Sequence, residues 1–161
     1  INAQSVHVMA GFAAGPIAHQ AFLESLRYAA DLAPELTFLI EPLNRHDAPG
    51  YFLSTTDQAI EILKSVDAPN VKLMFDCYHV GRTEGDIITR LGTLTPWIGH
   101  IQFAGIPTRG RPDLGEINYK AVFDAIAGLG WDAPLGAEYK PGTQSTDASL
   151  GWMKTLRSTG T

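Results

Sequence analysis

Five short apolar runs recur along the 161-residue chain, and each gives way to a longer amphipathic stretch. This pattern is what parallel βα units demand, because a strand covered on both faces is apolar throughout while its crossover helix buries one stripe. The spacing predicts strands at Val6–Ala10, Leu36–Ile40, Val71–Phe75, Ile98–Ile101 and Leu135–Ala137. It predicts helices over about 17–32, 56–66, 84–91, 119–129 and 146–157, with Pro34 stopping the first and Thr55 or Thr56 capping the second. Five units of roughly 30 residues match the spacing of a TIM (β/α)8 barrel, in which about 250 residues make eight. The fold class is therefore α/β, with about five barrel units in one domain over residues 1–161. A doubly wound open sheet, which needs fewer strands, is the runner-up.

What stands at the end of each run is the chemical signal. Glu41, Asp76, Gln102 and Glu138 follow four consecutive strands, separated by 35, 26 and 36 residues, so a parallel barrel would gather all four at its C-terminal mouth. Buried carboxylates repel one another, and a divalent cation would offset that cost. Three carboxylates and one amide oxygen form an all-oxygen set that suits Mg²⁺ or Mn²⁺ better than zinc. Spacing alone leaves two readings open, a metal site or solvated residues at loop starts.

Other side chains have places nearby. His79, three beyond Asp76, falls on the loop above its strand, within reach of a substrate oxygen. Arg109 in the Pro107–Gly115 loop would pair with a substrate carboxylate, with Arg111 as competitor. Lys140 follows Glu138 by two and would share its face. His100 reads as a packed barrel histidine, whereas His7, His19 and His46 have no partner legible in the sequence. Trp97, Trp131 and Trp152 read as packing residues.

Composition narrows the function. Twelve Lys and Arg against 17 Asp and Glu leave a net charge of −5, with a pI near 5.4, so the clustered basic surface of a nucleic-acid binder is lacking. A small anionic substrate remains open, since a few cations can govern a cleft. Cys77 is the one cysteine, which excludes an intramolecular disulfide and a thiolate zinc site and fits a reducing, cytoplasmic setting. No apolar run approaches the roughly 20 residues of a membrane span. Gly11 and Gly15 match neither GxGxxG nor a P-loop.

The segments Ile40-Glu41-Pro42-Leu43-Asn44 and Asp47 to Leu53, with its PGYFL, resemble the metal-glutamate region of the hydroxypyruvate isomerase family, within the xylose-isomerase-like TIM barrels. Phe75-Asp76-Cys77-Tyr78-His79, His100-Ile101-Gln102, Gly115-Glu116-Ile117-Asn118-Tyr119 and Gly136 to Pro141 are similar to its other signatures, in the same order. The resemblance implies that Glu41, Asp76, Gln102 and Glu138 are metal ligands, that Glu41 and Glu138 are the acid/base pair on opposite substrate faces, and that His79 and Arg109 contact substrate. It implies interconversion of hydroxypyruvate and tartronate semialdehyde through an enediolate, with Arg109, His79 or Lys140 holding the carboxylate. An isomerase for a four-carbon 2-oxo acid is a close variant, and a related epimerase or a catalytically inactive binding fragment are the alternatives. A multi-zinc nuclease of the same superfamily is disfavoured, because its site would need many more strand-end histidines. Two departures stand out: Val80-Gly81 replaces the Gln common after the Asp-x-Tyr-His motif, and the sequence starts at what resembles the family's fourth strand. Exposed barrel edges lead to the expectation of a homo-oligomer.

Overall fold

The computed structural model describes residues 2–156. Its five strands, β1 (Ser5–His7), β2 (Thr37–Ile40), β3 (Val71–Asp76), β4 (Ile98–Phe103) and β5 (Leu135–Ala137), are all parallel and lie in chain order. A doubly wound sheet would reverse its strand order at a switch point; this one runs monotonically, as an arc of a barrel does. The helices are α1 (Gly15–Leu32), α2 (Thr56–Val66), α3 (Cys77–Thr83), α4 (Ile87–Leu94), α5 (Tyr119–Gly128), α6 (Thr146–Ser149) and α7 (Met153–Leu156). Among the described residues, no helix is long and apolar enough to cross a membrane.

The two sheet faces separate by residue parity. Phe38 and Ile40 on β2, Val71, Leu73 and Phe75 on β3, and Ile101 and Phe103 on β4 join one core with Leu26, Ile62, Leu63 and Ile126 from the helices. The intervening Leu39, Met74, His100 and Gln102 line the other face, along with Ser5 and His7. The register slips between Leu73 and Met74, which pair with Ile98 and His100, so Gly99 is passed over and the parity of β4 resets. A Cβ at Gly99 would come within 2.7 Å of Lys72 Cβ and 2.8 Å of Leu39 Cδ2, which is why no side chain stands at this slip.

Helix α2 forms where the sequence places it. Thr55 Oγ1 accepts the Gln58 N–H at 3.2 Å, and Ala59, Ile62, Leu63 and Val66 bury one stripe against the sheet. Elsewhere the boundaries differ for local reasons. β1 ends at His7, because Ala10 N–H leaves the sheet to donate to the Tyr51 hydroxyl at 2.7 Å. The expected loop carrying His79 is instead helix α3, started by Asp76, whose Oδ1 accepts the Tyr78 N–H at 2.8 Å. Gly85 and Asp86, both left-handed, then redirect the chain, so the helix expected over 84–91 is displaced to Ile87–Leu94. The last expected helix is broken into α6, a 3₁₀ turn at Leu150–Trp152, and α7, and its predicted end at Arg157 lies outside the described residues. Trp152 is responsible, buried edge-on against Phe103 with Nε1 donating to the Tyr139 hydroxyl at 3.2 Å.

Candidate active site

The C-terminal ends of the strands bring two of the three expected carboxylates, Glu41 and Asp76, together, while Glu138 stands outside that cluster and pairs with Arg109. Glu41 follows β2 directly and Asp76 ends β3, both almost wholly buried. Asp76 divides its work: Oδ1 caps α3, which leaves Oδ2 free to face the site. His79 sits one turn into α3, with Nε2 3.8 Å from Asp76 Oδ2 and 3.9 Å from Glu41 Oε1. One donor atom from each of Glu41, Asp76 and His79 lies within 4.8 Å of the others.

Gln102, paired across the sheet with Asp76, turns its amide to the same face, and its Oε1 is buried. Glu138 lies just past the end of β5, half-exposed, and receives the Arg109 guanidinium at 2.7 Å. Arg109 also reaches to 4.0 Å from Asp76 Oδ2 and lies over the Tyr78 ring at 5.5 Å. Its backbone is left-handed, with φ +54, and its carbonyl accepts the Lys140 N–H at 2.7 Å. Lys140 thus meets the site through its main chain, while the residue itself is exposed. Arg111 does not compete with Arg109: its guanidinium turns back to Asp113, with Nε 3.0 Å from Oδ1.

Burial controls the electrostatics. Removal from water pushes the Glu41 carboxyl up to about 8, with Asp76 and Glu138 adding repulsion and Arg109 opposing. Burial likewise raises Asp76 to about 7, against the Tyr78 N–H and Arg109, which hold it down. His79 is lowered to about 4, by burial first and the Arg109 charge second. Arg109 offsets the repulsion among the carboxylates from one side, between Glu138 and Asp76, and does not reach ion-pair distance of Glu41 among the described residues. Glu41 Oε1, Asp76 Oδ2 and Gln102 Oε1 are buried and have no hydrogen-bond partner among the described residues. Buried polar atoms are normally satisfied, so three unpartnered oxygens turned to one face fit a hard cation.

Two residues escape the sequence reading. His7, the last residue of β1, places Nε2 3.6 Å from Glu41 Oε2, and burial lowers its pKa. Its strand-end position is the same signal that marks Asp76, but its partner is set by register, since His7 pairs with Leu39, two residues before Glu41. Asn44, fully buried, supports His79 from the loop after β2. His100 lies on the concave face with Gln102, its pKa lowered by burial.

With this geometry in view, the chain can be set beside known proteins. A family model described as xylose isomerase-like TIM barrel matches residues 1–156. A 2-oxo-tetronate isomerase of Cupriavidus necator is 43% identical, over 96% of this chain and 61% of its own length. A hydroxypyruvate isomerase of Escherichia coli is 41% identical, over 92% of this chain and 57% of its own. The crystal structure of an AP endonuclease, family 2, from Brucella melitensis superposes with a TM-score of 0.89 at 36% identity, covering 96% of this chain and 61% of that one. The chain thus spans about six tenths of the length of the relatives it matches.

Proposed function

The chain belongs to the xylose isomerase-like TIM barrel family, and on that premise we propose that it carries the acid/base and cation-binding half of an aldose-ketose type isomerase acting on hydroxypyruvate. The observation that carries this reading is the set of buried, unpartnered oxygens of Glu41, Asp76 and Gln102 at successive strand ends. Glu41, Asp76, Gln102 and Glu138 would hold Mg²⁺ or Mn²⁺, and that cation would supply positive charge to offset the negative charge that develops on substrate oxygen.

The residues do the rest. Converting hydroxypyruvate to tartronate semialdehyde moves one proton from C3 to C2, while the C3 hydroxyl proton is transferred to the C2 oxygen. A carboxylate must stand beside the carbons, and Glu41 and Glu138 supply one for each face of the substrate. Arg109 has five donors in a fork, enough to hold the substrate carboxylate while keeping its bond to Glu138. His79 completes the contacts to substrate oxygens, and Lys140 serves through its main chain, whose N–H holds the Arg109 carbonyl at 2.7 Å. The 43% identity to a 2-oxo-tetronate isomerase favours a second substrate, one carbon longer, for the same proton shift.

Proton NMR of the chain with hydroxypyruvate in D₂O tests this. Deuterium incorporation and tartronate semialdehyde formation that appear with Mg²⁺ and stop with EDTA are expected. Exchange that ignores EDTA, or no exchange with either acid, would overturn the proposal.

A further inference from the structure

The loop after β2 is organised around one buried amide. Asn44 Oδ1 accepts the backbone N–H groups of His46 and Asp47, at 3.1 and 3.0 Å. The amide nitrogen must therefore be the atom that faces Asp47 Oδ2 at 3.1 Å and His79 Nδ1 at 2.7 Å. Asp47 acts as an acceptor here, since the same Oδ2 also takes the Tyr78 hydroxyl at 2.6 Å. His79 Nδ1 consequently meets two donors, the Asn44 side chain and the Asn44 backbone N–H at 3.0 Å. It can answer them only with a lone pair. A neutral imidazole with its lone pair on Nδ1 carries its hydrogen on Nε2. Nε2 is the buried nitrogen that stands between Glu41 Oε1 and Asp76 Oδ2 and has no hydrogen-bond partner among the described residues.

We infer that Asn44, braced by Asp47, is a positioning residue that fixes His79 as a neutral Nε2–H donor, so that His79 gives a hydrogen bond to a substrate oxygen and cannot hold the cation. The inference rests on the proposed isomerase reading for the substrate and deepens it. Glu41, Asp76 and His79 stand close enough together to suggest a three-ligand centre, but only the two carboxylates present lone pairs there. The remaining ligands must come from other strands, and Gln102 Oε1 is the buried candidate. A fixed donor at this point favours a substrate whose oxygen gains negative charge during reaction, because its hydrogen bond then strengthens towards the transition state.

Long-range ¹H–¹⁵N spectra of the histidine rings, recorded on the labelled chain at neutral pH with and without Mg²⁺, read the tautomer directly. His79 is expected to keep a protonated Nε2 and an unprotonated Nδ1 in both samples. A hydrogen on Nδ1, or an Nε2 that loses its hydrogen when Mg²⁺ is added, would overturn the inference. Asn44→Asp puts an acceptor where the amide donates: Nδ1 is expected to gain a hydrogen, and kcat to fall about 100-fold. Unchanged ring signals in folded Asn44→Asp would also overturn it, and if that variant does not fold, the wild-type spectra decide. Because the spectra need no turnover, a chain with the fixed tautomer but no isomerase activity refutes the substrate reading and leaves the positioning role standing.

Discussion

Glu41 is the residue in which fold and chemistry conflict most directly. Folding raises its pKa from 4.5 to about 8 and that of Asp76 from 3.8 to about 7. A carboxyl with a raised folded pKa contributes stability that is fully present below its unfolded value and is lost as pH climbs through the folded one. His79, lowered from 6.5 to about 4, has the opposite sense: its contribution is present above 6.5 and lost as pH falls through 4. His7 and His100, also lowered by burial, act in the same sense as His79. Above about pH 6.5 the unfolded imidazoles no longer bind protons and the carboxyls act alone, so without metal the melting temperature should fall between about pH 6.5 and pH 8, and Mg²⁺ should restore it at pH 8. A Tm that rises across that interval would contradict the electrostatic account. Glu41→Gln removes the larger shift while keeping the shape, and should flatten the pH slope of Tm. The same variant should lose proton exchange by about 100-fold or more if Glu41 is an acid/base, a loss read by deuterium incorporation.

At the level of elements, helices and loops place these side chains through contacts that can be removed one at a time. Glu84, at the end of α3, accepts the Thr56 N–H and hydroxyl, each at 2.9 Å, at the first turn of α2, and Arg90 of α4 reaches the same carboxylate at 3.1 Å. Glu84→Ala strands buried donors on Thr56 and should cost about 1–3 kcal/mol, measurable by urea unfolding; a cost near zero would mean that packing and the direct Arg90–Thr56 bond, at 2.7 Å, suffice to hold α2 and α4. Gly115, with φ +105, lies so close to Ile106 that an added Cβ would stand 2.0 Å from its carbonyl oxygen. Gly115→Ala should therefore disturb the loop that carries Arg109, raising KM for substrate more than it lowers Mg²⁺ affinity. Such contacts explain which parts of the fold were legible in sequence. The strands were readable because Phe38, Leu73 and Ile101 repeat an apolar pattern, and Glu41, Asp76 and Glu138 because each punctuates its run. Helix α3 was not, because seven residues carry little period and its start depends on Asp76 acting as cap and strand end at once. His7 meeting Glu41, and Asn44 meeting His79, depend on strand register and loop closure, which no local pattern encodes.

Across the whole molecule, the arc leaves two ends to cover. At one, β1 has a single neighbour among the described residues, β2, and Val6, Met9, Phe12, Ile17, Tyr28 and Leu32, on β1, α1 and the loop between them, are 40–87% exposed. At the other, an open groove of about 470 Å³ beside β5 is lined by Phe103, Phe123, Trp131, Leu135, Trp152 and Leu156. Open strand edges and apolar patches on this scale bind other surfaces, and a parallel sheet of this class normally has both faces and edges covered. Prepared by itself, the 161-residue polypeptide should therefore self-associate, and sedimentation velocity at micromolar concentration should give species heavier than 17.4 kDa. Charging the first end should reverse this: Phe12→Glu with Ile17→Lys is expected to shift the distribution towards monomer without changing the far-ultraviolet circular dichroism. A wild-type chain that stays monomeric at every concentration would show that the exposed flank is tolerated. The candidate site reaches the first end at one point, His7 on β1, whose Nε2 lies 3.6 Å from Glu41 Oε2; its other contacts run between β2, β3, α3 and the Arg109 loop, and neither Phe12 nor Ile17 is among them. Mg²⁺ binding should accordingly survive the charged substitutions, so a parallel loss of metal affinity would mean that association helps to build the site.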